Sequence, residues 1–162
     1  MDPIRSTIGG GIAATAVLLT LLLTLDAVLP GAEPLVFATF TGLCSIGGPP
    51  YCALASGTAF ALTLLVFVAL FAFAWPLLFA GFTWGLPGES GATHGLVFSF
   101  VLWLGYAAGV WIAVWRGWET LAQDVPLLAV TLFAYLVYGF VLGSGYDYLA
   151  GHRTFLDQGS AA

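Results

Sequence analysis

Four long runs of apolar residues dominate the chain, and the polar residues gather in shorter stretches between them. Each run holds about 20 or more mainly apolar residues, enough for a helix to cross a hydrocarbon core roughly 30 Å thick. Backbone groups in lipid must hydrogen-bond within their own segment, and the runs lack the alternation typical of barrel strands. The pattern therefore predicts four spanning helices, at about residues 7–29, 53–80, 93–115 and 125–150.

The connections and breakers refine this pattern. Residues 31–52 form the longest connection, and its apolar stretch is too short to span a bilayer. Pro76 falls inside the second run, where it predicts a kink or the end of the spanning part. We therefore expect residues 1–162 to form a single all-α domain. It is an integral membrane four-helix bundle with a short interfacial or re-entrant segment between helices one and two.

Composition supports a membrane location and excludes some partners. The 162 residues are 60% hydrophobic and only 7% charged, against about a quarter charged in a soluble domain. Eight acidic residues stand against three arginines, with no lysine. This balance excludes nucleic-acid binding and attachment to lipid through a polybasic stretch. It is also typical of proteins from salt-loving organisms.

The arginines predict the orientation of the helices. With four spans, Arg5 and Arg153 lie on one side of the membrane and Arg116 lies on the other. Positively charged residues are enriched in cytoplasmic segments. We therefore expect a multi-pass protein of the cell membrane with both termini in the cytoplasm.

Small residues predict where helices approach each other. Two GxxxG motifs occur in the last two runs: "GYAAG" holds Gly105 and Gly109, and "GFVLG" holds Gly139 and Gly143. Lipid gives helices no hydrophobic reason to associate, so contacts form where small residues allow close approach. We expect these four glycines to pack helices within the chain, the alternative being a homodimer interface.

The end of the fourth run carries a resemblance to a known family. The stretch "YLVYGFVLGSGYDYLAG" resembles that of small, uncharacterised four-helix membrane proteins common in halophilic archaea. The resemblance covers mainly helices three and four and rests on "LVYGFVLG", residues 136–143. The family typically has a histidine where this chain has Tyr135, and the tyrosine weakens any ligand role that a histidine there might have had. The resemblance implies a four-helix fold and no known activity.

The two cysteines allow three interpretations. Cys44 and Cys52 flank the turn-forming sequence Gly-Gly-Pro-Pro in the predicted outer connection, where disulfides persist. They form a disulfide, remain two free thiols, or contribute to a metal site. The spacing differs from the redox Cys-X-X-Cys motif, and no histidine is close enough in sequence to complete a metal site.

Acidic residues near the ends of the spans are candidates for an ion or proton site. Asp26 lies near the end of the first run, and Asp147 lies in the last turns of the fourth. Acids at membrane depth are costly and often functional. Asp147 is expected near His94 and Arg153, either of which could pair with it. Haem ligation by His94 and His152 would need both residues buried within the bundle, whereas both are expected at helix ends.

The polar inventory is too sparse for a catalytic constellation. The sequence therefore predicts a non-enzymatic membrane protein without cofactor or metal. We expect an accessory or scaffolding subunit that packs against a larger membrane protein. One alternative is a small oligomeric transporter or channel using Asp26 or Asp147. The other is a haem- or quinone-linked redox subunit.

Overall fold

The computed structural model describes residues 3–28, 57–83, 90–115 and 121–150, and these residues are helical apart from Ser90. The helices are α1 (Pro3–Val28), α2 (residues 57–83), α3 (Gly91–Trp115) and α4 (Leu121–Ala150). Each of the four contains a stretch long and apolar enough to cross a membrane. The predicted all-α membrane four-helix bundle is confirmed. The predicted interfacial segment falls within residues 31–52, outside the described residues.

Successive helices run in opposite directions. Gly91 at the start of α3 lies beside Asp147 at the end of α4, and Trp103 further along α3 bonds Thr131 near the start of α4. The beginning of α1 likewise lies against the end of α4, where Gly10 approaches Tyr146. Helix α4 packs extensively on both α1 and α3. It is therefore the central element of the bundle.

Helix α2 changes its winding in the middle. It consists of an α-helix (Gly57–Ala69), a π-helical turn (Leu70–Ala74) and a second α-helix (Trp75–Thr83). Pro76 follows this turn, and a proline ring clashes with the carbonyl four residues earlier while offering no N–H. The wider π turn accommodates such a residue. The helix thus continues through Pro76, which neither ends it nor ends its spanning stretch (Ala61–Thr83).

The π turn leaves one carbonyl of α2 without its usual backbone partner. The Trp75 N–H donates to the Leu70 carbonyl, and Pro76 has no N–H to offer Phe71. The hydroxyl of Tyr138 on α4 donates to the Phe71 carbonyl instead, at 2.7 Å. Tyr138 is fully buried, so this bond satisfies both groups away from water.

Aromatic side chains fill the space between α2 and the other helices. The Phe71 ring meets the Tyr138 ring edge-on with centroids 5.2 Å apart. Phe79 packs similarly against Tyr146 at 5.9 Å and contacts Phe98 of α3 at 5.5 Å. Edge-to-face pairs at these distances are favourable. They connect α2 to the pair formed by α3 and α4.

Candidate functional site

Helices α3 and α4 meet along two rows of residues spaced four apart, which we call the seam. Residues four apart form a ridge on a helix surface. The α3 row is Gly91, Gly95, Ser99 and Trp103, and the α4 row is Thr131, Tyr135, Gly139, Gly143 and Asp147. The middle of the seam is glycine and serine, and its polar side chains lie towards the two ends.

The glycines bring the two backbones into direct contact. A β-carbon added to Gly95 would collide with the Gly139 carbonyl oxygen, and one added to Gly139 would collide with the Gly95 carbonyl oxygen. Gly91 and Gly143 are similarly close. Such close approach is how small residues stabilise helix pairs in lipid. Even an alanine at these positions requires the helices to move apart.

This close approach positions Asp147. Its Oδ2 accepts a hydrogen bond from the Gly91 backbone N–H at 2.6 Å, and the residue is only 5% exposed. The first N–H groups of a helix have no partner within it, and the positive end of the helix dipole favours a negative group there. Asp147 therefore caps α3 from the neighbouring helix.

Of the other candidate partners of Asp147, the structure describes only His94. His94 is half-buried in the first turns of α3, where its backbone N–H donates to the Ser90 carbonyl at 3.2 Å. Its side chain forms no ion pair or hydrogen bond with Asp147 in the part of the chain described here. His152 and Arg153 lie outside that part.

At the opposite end of the seam, the Trp103 side chain joins α3 to α4 through hydrogen bonds. The Trp103 Nε1–H donates to the Leu128 carbonyl at 3.2 Å and to Thr131 Oγ1 at 3.3 Å. The Thr131 hydroxyl in turn donates to the Leu128 carbonyl at 3.1 Å. These bonds pair polar groups that would be costly in lipid.

A cavity of about 310 Å³ adjoins this end of the seam, between α2 and α3 with α4 behind it. Four aromatic residues line it together with Gly105 and three aliphatic side chains; the aromatic ones are Phe71, Trp75, Tyr106 and Tyr135. Tyr135 is 7% exposed. Its ring stacks on Tyr106 at 6.3 Å and meets Phe71 edge-on at 5.7 Å. Its hydroxyl has no hydrogen-bond partner among the described residues.

The two predicted GxxxG motifs have different surroundings. Gly139 and Gly143 lie in the seam, whereas a β-carbon on Gly105 or Gly109 would meet no described atom within 4 Å. The expectation that Gly105 and Gly109 pack helices within the chain is therefore not met among the described residues. Both are exposed on the outer side of α3, because α3 turns its earlier small residues towards α4.

The glycines predicted to pack on the α3 side, Gly105 and Gly109, are not the partners of Gly139 and Gly143 among the described residues. The partners are Gly91 and Gly95, followed by Ser99, which is fully buried and donates to the Leu96 carbonyl at 3.0 Å. The signal was present as a matching spacing of four in both helices. Antiparallel pairing through a short connection places Gly91 opposite Gly143 and Gly95 opposite Gly139.

Some predicted site residues lie outside the described part of the chain. These are Cys44, Cys52 and the side chain of Asp26. Among the described residues, no three His, Cys, Asp or Glu side chains come together to hold a metal ion.

Comparison with known proteins places this architecture in a family. A family model matches residues 1–157, which include all four helices. The chain belongs to a family of unknown function, DUF6789. No curated protein and no solved structure matches the chain. Membership in DUF6789 agrees with the resemblance to an uncharacterised family and assigns no activity.

Proposed function

We propose that this DUF6789 protein is a non-enzymatic accessory subunit that packs against a spanning helix of a larger membrane protein. The proposal rests on the observation that some glycines of α3 pack against α4 whereas others face outward. Four glycines already pack α3 against α4, namely Gly91, Gly95, Gly139 and Gly143. At two others, Gly105 and Gly109, a β-carbon would meet no described atom within 4 Å, and both lie on the outer side of α3.

The outer side of α3 has the shape of a helix-docking surface. Gly105 and Gly109 are one turn apart, and exposed larger side chains flank them, namely Val101, Leu104 and Ile112. Small residues between larger ones form a shallow groove into which a second helix packs. Helix α3 is available for such packing because its contacts with α2 are few and its main partner is α4.

The test is purification of the tagged full-length chain from its native membranes in a mild detergent. Gly109→Leu fills the groove and is expected to remove a stoichiometric larger partner. Gly81→Leu is the matched control, because Gly81 is an exposed glycine of α2 that also meets no described atom within 4 Å. A partner kept by both variants, or no partner for the wild type, contradicts the docking surface.

The same preparation separates the competing functions. A homo-oligomer that loses its assembly in Gly109→Leu would favour the transporter or channel, and ion flux lost in Asp147→Asn would support it. That alternative uses Asp26 or Asp147, of which Asp147 accepts a hydrogen bond from the Gly91 N–H. A visible haem spectrum that depends on His94 and His152 would favour the redox subunit.

The proposal also covers the membrane in which the protein lies, its orientation there and the type of organism it comes from. The arginine distribution supports a cell-membrane location with both termini in the cytoplasm, tested by reporters fused to either terminus. The acidic, lysine-free composition supports a halophilic archaeal origin. That origin predicts higher stability in molar potassium chloride than in dilute buffer, because salt screens repulsion between acids.

A further inference from the structure

The cavity between α2 and α3 lies near the middle of the bilayer. Its α3 residues fall between Val101 and Tyr106, roughly 15–22 Å along the helix from Gly91 at 1.5 Å per residue. That is about half to three-quarters of the way across a hydrocarbon core roughly 30 Å thick, well inside its apolar interior. Val101 is 50% exposed and Gly105 is also exposed. The mouth of the cavity therefore opens on the surface that faces lipid.

A molecule that enters from this side must be lipid-soluble. Half of the lining residues are aromatic, and flat rings favour stacked or edge-on contacts with another ring. The volume of about 310 Å³ is at the lower end of the range for small-molecule sites, about 300–1,000 Å³. The volume of the cavity, its depth in the membrane and its aromatic lining together favour a ligand with a flat ring.

The hydroxyl of Tyr135 requires that the ligand carry a hydrogen-bond acceptor. Tyr135 is more than nine-tenths buried, and no described group accepts a hydrogen bond from it. Its neighbour Tyr138, one turn away, donates to the Phe71 carbonyl. A buried donor left without an acceptor is unfavourable. Saturated acyl chains at this depth carry no acceptor, whereas a conjugated ring bearing carbonyl oxygens does.

We propose that this cavity is a binding site for a lipid-soluble quinone-class molecule, with Tyr135 donating a hydrogen bond to one of its carbonyl oxygens. Phe71, Trp75 and Tyr106 provide the apolar contacts to the ring. The inference concerns binding alone and does not depend on the helix-docking surface. Val101 and Gly105 belong to both the cavity lining and the docking surface, so ligand binding is measured on the isolated chain, with no partner helix over the mouth.

The experiment measures equilibrium binding of radiolabelled duroquinone to the purified full-length protein in lipid nanodiscs, with empty nanodiscs subtracted. All ring positions of duroquinone are substituted, so it does not add to thiols. Durene, which has the same carbon skeleton with an aromatic ring and no carbonyl oxygens, is the comparison ligand. We expect saturable duroquinone binding near one molecule per chain, and weaker binding of durene.

Three variants assign the binding to this cavity. Tyr135→Phe removes only the hydroxyl and is expected to weaken duroquinone binding roughly threefold to tenfold, as for loss of one hydrogen bond, without changing durene binding. Gly105→Leu narrows the mouth and is expected to abolish saturable binding. Gly109→Leu lies one turn further along α3, outside the lining, and is expected to bind like the wild type.

Other outcomes overturn the inference. Duroquinone that only partitions into the lipid, without saturation, excludes the site. Equal binding of duroquinone and durene, or duroquinone binding unchanged in Tyr135→Phe, excludes recognition through the hydroxyl. Saturable binding that persists in Gly105→Leu places the ligand elsewhere.

Loss of a partner protein in Gly109→Leu, with duroquinone binding intact, shows that the ligand site and the docking surface can be disrupted separately.

Discussion

Asp147 caps the helix next to its own. Its carboxylate lies at the end of α4, where the dipole of its own helix disfavours a negative charge, and within 2.6 Å of the Gly91 nitrogen that begins α3. The seam allows this arrangement, because Gly91 and Gly143 let the two backbones touch. Asp147 thus hydrogen-bonds the backbone of the neighbouring helix, and its role as an ion or proton site stays a prediction.

Removing the Asp147 carboxylate should weaken the pairing of α3 and α4. We expect Asp147→Ala to lower the free energy of unfolding by about 1–3 kcal/mol, because the Gly91 N–H loses its acceptor. Asp147→Asn should cost less, since its amide oxygen still accepts. Unfolding in mixed micelles measures both. Tyr148→Phe, at a position 80% exposed, is the control, and an Asp147→Ala variant as stable as this control would contradict the capping role.

One methyl group should have opposite effects at two glycines of α3. Gly95→Ala forces a β-carbon into the Gly139 carbonyl and should destabilise the protein by about 1–3 kcal/mol through overpacking. Gly109→Ala meets open space and should be neutral or stabilise by up to about 1 kcal/mol, because alanine favours the helix. Thermal unfolding in detergent compares the two variants. Equal effects would rule out the seam as the tight contact.

Two tyrosines one turn apart on α4 should respond differently to loss of the hydroxyl. Tyr138→Phe leaves the Phe71 carbonyl without its donor, at a cost of about 1–3 kcal/mol. In ligand-free protein, Tyr135→Phe should leave stability unchanged or slightly higher, because it removes a hydroxyl with no described partner. The two free energies of unfolding, measured side by side, check the assignment. The prediction fails if Tyr135→Phe is the more damaging change.

The π turn provides a second check on Tyr138. Pro76→Ala returns a backbone N–H to position 76, which can bond a carbonyl of the π turn. We therefore expect Tyr138→Phe to cost less in the Pro76→Ala background than in the wild type. A double-mutant cycle gives this coupling as an interaction energy. Strict additivity of the two changes would mean that Pro76 is not the reason Phe71 depends on Tyr138.

The disulfide between Cys44 and Cys52 remains a prediction. Closing this nine-residue loop would stabilise the protein by roughly 2.6 kcal/mol on the chain-entropy model. Alkylation with a mass-tagged reagent before and after reduction distinguishes the states on a gel. A bonded pair takes up label only after reduction. Labelling of both thiols in the untreated protein would exclude the bond.

Hydrophobic run length was sufficient to predict the four helices, since a spanning helix must satisfy its backbone and remain apolar for its full length. It was not sufficient to predict which side of each helix faces inward. The Gly105–Gly109 motif and the Gly91–Gly95 pair have the same local spacing, and only the register against α4 distinguishes them. The Phe71 carbonyl and the cavity were also beyond the sequence, because both depend on how α2 winds around Pro76 and how far it stands from α3.

The central position of α4 affects how the protein is made. The ribosome synthesises α4 after the other three helices, yet α1 and α3 find their principal packing surface on it. Helices α1 and α2 contact each other directly, at Gly11 and Pro76, so these two can pair before α4 exists. Helix α3 has few contacts with α2, and it therefore enters the bilayer as a separate span, stable because its backbone bonds are internal, until α4 provides its packing surface.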